Sequence, residues 1–237
     1  DSQRMNDQDP PDLPDEAMEA AGPHPPQETW EAVPQDHRSG FVAVIGRPNV
    51  GKSTLINQLL GQKIAIVSPR PQTTRVRQLG ILTRQDAQVI FVDTPGLHRP
   101  RHQLGEFMVQ VAQQALHDSD AILFVVEAQE MPGPGDRMIT EQIKEAAPDV
   151  PVLLAINKID LVRPDRLQAH VDAYLELVQP TDWVALSALQ AAGVDDLRER
   201  LIALLPHGPR YYPPDQVTET YIRDIAAELI REKVLLH

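Results

Sequence analysis

Gly46, Gly51, Lys52 and Ser53 stand at the spacing of a phosphate-binding turn, in the run Gly46-Arg47-Pro48-Asn49-Val50-Gly51-Lys52-Ser53-Thr54. An apolar stretch, Phe41–Ile45, precedes the run, and a helical pattern from Thr54 to Leu60 follows it. Strand, glycine-rich turn and helix in that order make a P-loop. The glycines let backbone N–H groups close around an anion, and the helix N-terminus adds partial positive charge. Lys52 is placed to reach the β- and γ-phosphates, and the Ser53 hydroxyl to join a magnesium shell.

Four further stretches extend this chemistry. Asp93-Thr94-Pro95-Gly96 follows the apolar run Gln88–Val92. A carboxylate at that strand end supports Mg²⁺, and Gly96 lets its N–H approach a γ-phosphate. Asn157-Lys158-Ile159-Asp160 ends another apolar run. The Asp160 carboxylate can accept from N1–H and the 2-amino group of guanine, donors that adenine lacks. With adenine the carboxylate stays desolvated and unpaired, a penalty of roughly a thousandfold in affinity. ATP is a substrate only if Asp160 is not at the base. Lys158 is expected along the base plane, and Asn157 as a brace for the P-loop. In Ser187-Ala188-Leu189, small residues allow a backbone N–H, that of Ala188, to meet guanine O6. In Gln72-Thr73-Thr74-Arg75, a threonine can join the magnesium shell when a γ-phosphate is present, which makes the loop a switch. Thr74 is the first choice and Thr73 the second.

The elements that must hold these residues are legible as alternation. Strands are expected near 41–45, 78–83, 88–92, 121–126, 151–156 and 183–186. Helices are expected near 52–60, 104–117, 136–146, 165–178 and 194–204. Such alternation predicts an α/β fold with a six-stranded, mainly parallel sheet covered by helices on both faces. The pair around Arg84–Ala87 reads as a hairpin that adds one antiparallel strand. Residues 1–39 form an acidic, proline-rich tail expected to be disordered. The nucleotide-binding unit runs over 40–206, a linker over 207–216, and a last amphipathic helix over 217–237, whose partner is expected in sequence absent here.

Among 237 residues there is no cysteine, which excludes disulfides, thiolate zinc sites, iron–sulfur clusters and thiol catalysis. No apolar run approaches the ~18 residues that span a bilayer, so a soluble chain is expected. The net charge is −12, but residues 1–40 alone contribute −8. The acidity of the tail therefore does not argue against a nucleic-acid partner for the rest.

Taken together, the P-loop run through Asn57, Leu60-Gly61-Gln62-Lys63, Gln72–Arg75 and Asp93–His98 resemble the Era family of bacterial GTPases. Asp215–Glu219 and Ala227–Lys233 resemble that family's passage into a C-terminal KH domain. The resemblance spans roughly residues 40–237. It implies a Ras-like G domain that hydrolyses GTP to GDP and gates attachment to 16S rRNA during small-subunit assembly. It also implies a cytoplasmic protein with peripheral association with the inner membrane, and a monomer is the expected state. The KH domain, which would grip RNA through a GXXG loop, stops after about its first helix, so this chain alone is expected to lack high-affinity RNA binding.

Leu97 occupies the position where many GTPases carry a water-orienting glutamine, so slow intrinsic hydrolysis is expected. In related GTPases an asparagine at the position of Asn49 accompanies a potassium ion near the β- and γ-phosphates. The alternative is that Asn49 simply shapes the turn. Arg70, Arg75, Arg77 and Arg84 form either a solvated basic face or an rRNA backbone contact. Two other functions stay open: a non-enzymatic, nucleotide-dependent tether, and another GTPase of the superfamily, of the tRNA-modifying or double-GTPase kind.

Overall fold

The computed structural model describes residues 33–62, 78–93 and 114–218. Six strands form one sheet: β1 (Arg38–Ile45), β2 (Gln78–Thr83), β3 (Ala87–Asp93), β4 (Ala121–Glu127), β5 (Val152–Asn157) and β6 (Asp182–Ala185), in the order β2-β3-β1-β4-β5-β6. All neighbours are parallel except β2 and β3, which pair antiparallel as the expected hairpin. The central strands read as continuous apolar runs because both sheet faces are covered.

Alternation along β1 shows the layering. Val42 and Val44 point into one core with Leu55 and Leu59 of helix α1 (Lys52–Leu60) and Leu197 and Leu201 of helix α4 (Val194–Leu204). Ala43 and Ile45 point into the other, with Ile139 of helix α2 (Pro134–Ala146) and Tyr174 of helix α3 (Pro164–Val178). Helix α1 stops at Gly61, whose left-handed φ of 65° lets its N–H return to the Gln58 carbonyl. Helix α2 starts at Gly133-Pro134, where the Asp136 carboxylate accepts the Gly133 N–H at 2.9 Å.

Two boundaries differ from expectation. Strand β1 begins at Arg38, inside the expected tail, because the segment after α4 pairs with its start. Gly208 N–H donates to the His37 carbonyl at 3.0 Å, the Ser39 N–H to the Pro206 carbonyl at 3.1 Å, and Ser39 Oγ to the Pro209 carbonyl at 2.6 Å.

The expected linker is likewise docked. Gln88, fully buried on β3, accepts the Tyr211 and Tyr212 N–H groups at 2.7 and 2.9 Å and donates to the Tyr212 carbonyl at 2.9 Å. The Tyr211 ring lies 5.5 Å from that of Phe41. Farther on, Ile81 N–H donates to the Val217 carbonyl at 2.7 Å, and Thr218 Oγ1 to the Leu79 carbonyl at 2.6 Å. Residues 217 and 218 therefore lie along the edge of β2 rather than in a helix. Most of the expected tail, all but the end of the 104–117 helix, and the rest of the last helix lie outside the described residues. Residues 114–117 are helical.

Candidate functional site

The C-terminal ends of β1, β3 and β5 lie on one edge of the sheet. Register explains why: Val44 pairs with Asp93 on one side and Leu123 on the other, and Glu127 pairs with Asn157. The P-loop, Asp93 and the Asn157 segment thus converge where ligands bind in open parallel sheets.

The loop is shaped by the protein's own packing as well as by any anion. Gly46 has φ 151°, and a Cβ there would sit 2.3 Å from the Val125 carbonyl oxygen. Gly51 has φ 101°, and a Cβ would sit 2.3 Å from Asn157 Nδ2. Both positions exclude a side chain. Asn49 takes a left-handed φ of 66°, which asparagine tolerates better than most residues. Pro48 and Thr54 continue the loop into α1, and Val50 is buried.

Lys52 is only 7% exposed, and its Nζ donates to the Gly46 and Arg47 carbonyls at 3.1 and 3.0 Å. Burial pushes its pKa down to about 8, with the Asp93 charge working against the fall. Ser53 Oγ lies 3.5 Å from Asp93 Oδ2. One hydroxyl beside one buried carboxylate is a hard-oxygen donor set suited to Mg²⁺, which takes one or two protein oxygens and completes its shell with phosphates and water. No cluster of three or more His, Cys, Asp or Glu that could hold a metal occurs among the described residues.

The segment Asn157-Lys158-Ile159-Asp160 is built around Asn157, which is 2% exposed. Its Nδ2 donates to the Val50 carbonyl at 2.8 Å, the expected brace on the P-loop. Its Oδ1 accepts the N–H groups of Lys158 at 2.8 Å and Ala188 at 2.9 Å. The Ala188 N–H, expected to meet guanine O6, is therefore turned toward Asn157 here. Small residues at that turn bring the backbone close enough for the inward bond. Lys158 Nζ pairs with Glu127 Oε2 at 3.1 Å, a partner at the end of β4 that no local pattern announces. Asp160 Oδ1 is buried with no hydrogen-bond partner in the protein. A buried carboxylate oxygen without a partner is costly unless a ligand or water supplies donors. Ser187 is buried and Leu189 is exposed at 77%.

Arg47, expected at the nucleotide, points elsewhere. Its Nε donates to Asp136 Oδ1 at 2.9 Å. Burial opposes its charge, but Asp136 and its neighbours prevail and the guanidinium pKa is raised. Arg84 is not a free cation either, since it pairs with Asp86 at 3.0 Å and with Glu199. That removes it from the expected basic face. Thr73, Thr74, Thr94, Pro95, Gly96, Leu97, Arg70, Arg75 and Arg77 lie outside the described residues.

A family model described as a 50S ribosome-binding GTPase matches residues 41–158. The structure of Era in complex with MgGDPNP and nucleotides 1506–1542 of 16S ribosomal RNA is 40% identical. It covers 83% of this chain and 67% of that one, with a TM-score of 0.78. The chain belongs to the Era family of GTPases. A variant of Era from Aquifex aeolicus bound to GDP·AlF₄⁻ is also 40% identical, covering 84% of this chain and 67% of that one at a TM-score of 0.79. Toc33 from Arabidopsis thaliana with GDP and Mg²⁺, at 18% identity and a TM-score of 0.59 over 71% of this chain and 85% of that one, shares the fold alone. This Era-family GTPase places its P-loop, Asp93 and Asn157 together on the sheet edge described above.

Proposed function

We propose that this Era-family GTPase is a nucleotide switch in small ribosomal subunit assembly, its GTP-bound form favouring attachment to 16S rRNA. The observation that carries the nucleotide half is the buried, unpartnered Asp160 Oδ1, set one turn beyond the Asn157 that holds the P-loop. The rRNA half is supported by the 40% identical relative, held with a GTP analogue and a 16S rRNA fragment. The family model's description speaks of the 50S particle, but it spans only residues 41–158, the nucleotide-binding core. The longer match therefore favours the small subunit.

In this reading Lys52 keeps its two loop carbonyls and turns its remaining N–H toward the β- and γ-phosphate oxygens. Ser53 and Asp93 would hold Mg²⁺, with Thr74 joining them when a γ-phosphate is present. Magnesium supplies neutralisation of the charge that develops on the phosphate oxygens. Asn49 would hold a K⁺ that supplies positive charge to the phosphates, and the Gly96 N–H would meet the γ-phosphate. Cytoplasmic location with peripheral attachment to the inner membrane completes the proposal. No helix among the described residues is long and apolar enough to cross a membrane.

The test is phosphate release in a single turnover with Mg²⁺, for the wild type and Asp160→Ala, with GTP and ATP in K⁺ and in Na⁺. The wild type should release phosphate from GTP, faster in K⁺, and Asp160→Ala should lose roughly a thousandfold in GTP preference. A tether without catalysis would release none above background. Full GTP preference in Asp160→Ala would overturn the guanine assignment, and equal rates in the two salts would remove potassium.

A further inference from the structure

Arg47 faces two ways. Its backbone carbonyl receives Lys52 Nζ at 3.0 Å, while its side chain leaves the phosphate loop for the start of α2. There Nε meets Asp136 Oδ1 at 2.9 Å, and Nη1 lies 3.5 Å from Glu130 Oε2. Asp136 is fully buried, whereas the Glu130 side chain is 67% exposed. The Arg47 stem passes so close to Gly135 that a Cβ there would lie 2.8 Å from its Cδ. Asp136 is itself fixed, because its other oxygen takes the Gly133 N–H at 2.9 Å. Tyr174 of α3 is fully buried in the same core.

The phosphate loop is thus fixed at three points. Gly46 abuts the Val125 carbonyl, Val50 is held by Asn157, and Arg47 is held by Asp136. The first two flank the loop; the third lies at its rim, on the residue whose carbonyl seats Lys52. A shift of about 1 Å in a residue that orients the reacting groups can cost about a hundredfold in rate.

We propose that Asp136 is a positioning residue for GTP hydrolysis, holding Arg47 so that the loop carbonyls, and with them Lys52, stay in place for the phosphates. The proposal rests on the phosphate-loop reading and adds to it a residue from another element. Its signature is an effect confined to the phosphate end of the ligand. Base recognition at Asp160 is independent of it.

The variants are Asp136→Asn, which keeps an acceptor for Gly133, Arg47→Met, which keeps the stem over Gly135, Arg47→Lys, and the double variant Arg47→Met with Asp136→Asn. Measured for each are kcat, KM, GDP and GMP affinity, and the melting temperature. Asp136→Asn and Arg47→Met should each lower kcat by about tenfold to a hundredfold and weaken GDP while sparing GMP. The double variant should fall no further than the worse single variant, since the two residues act as one unit. Arg47→Lys should recover part of the loss. Multiplying losses in the double variant, or a GMP affinity that falls in step with GDP, would overturn the proposal. So would a lowered melting temperature with unchanged turnover. A wild type that hydrolyses no GTP would sink the phosphate-loop reading itself, and the wild-type control separates that outcome from the others.

Discussion

Asn157 Nδ2 donates to the Val50 carbonyl at 2.8 Å, although 107 residues separate them in sequence. The residue that opens the segment proposed to read the base therefore also holds the proposed phosphate loop through one side chain. Asn157→Ala should strand the Val50 carbonyl and the Lys158 and Ala188 N–H groups together. The expected cost is about 2–4 kcal/mol of stability, with weakened binding of both GMP and GDP. Denaturant unfolding and nucleotide titration check it.

Lys52 gives a pH dependence with a definite sign. Its folded pKa of about 8 lies below the ordinary lysine value of 10.5, so between those values the unfolded chain binds the extra proton. Stability of the nucleotide-free protein should rise with pH from about 8 to about 10.5. Lys52→Met should flatten that rise. Phosphates raise the lysine pKa again, so nucleotide binding near pH 8.5 should take up a fraction of a proton. Calorimetry in buffers of different ionisation enthalpy would measure it, and proton release would contradict the assignment.

Gly46→Ala should fail for a reason no side-chain movement can relieve. The added Cβ meets a backbone carbonyl, that of Val125, at 2.3 Å. Either β4 or the loop must shift, and GTP affinity should drop by more than about a hundredfold. The loop should give way rather than β4, whose Val125 is part of the core, and circular dichroism should still show folded protein.

Gln88 is the test of the docked segment. Gln88→Leu should leave the Tyr211 and Tyr212 N–H groups without their acceptor, costing about 1–3 kcal/mol. Cleavage by a protease within 207–218 should quicken, while GTP affinity stays unchanged because Gln88 lies at the opposite end of its strand from Asp93. Unchanged cleavage would show that the segment is held by its other contacts.

These features differ in how far the sequence announces them. The Asn157-to-Asp160 spacing and the strand–helix alternation are local signals, and the structure follows them within a few residues. Gln88 gives no such signal, for a buried glutamine inside Ala87–Asp93 looks like ordinary alternation until its partners are known. The segment 207–218 is rich in proline and glycine, which reads as linker, yet its backbone groups find acceptors and donors on β1, β2 and β3. Asp136 and Glu127 pair with Arg47 and Lys158 across long stretches of chain. Spacing rules see neighbours along the chain, and these pairs are neighbours only through the sheet.

The two bonds from β2 to Val217 and Thr218 also say how a force would travel. Anything attached after Thr218 pulls along the edge of a strand, so its load falls first on Ile81 and Leu79 in shear. Strand β2 takes up the chain directly after residues 63–77, the stretch that contains Thr74. That stretch enters β2 at Gln78, beside Leu79, so a load on Thr218 is applied next to the end at which it joins the strand.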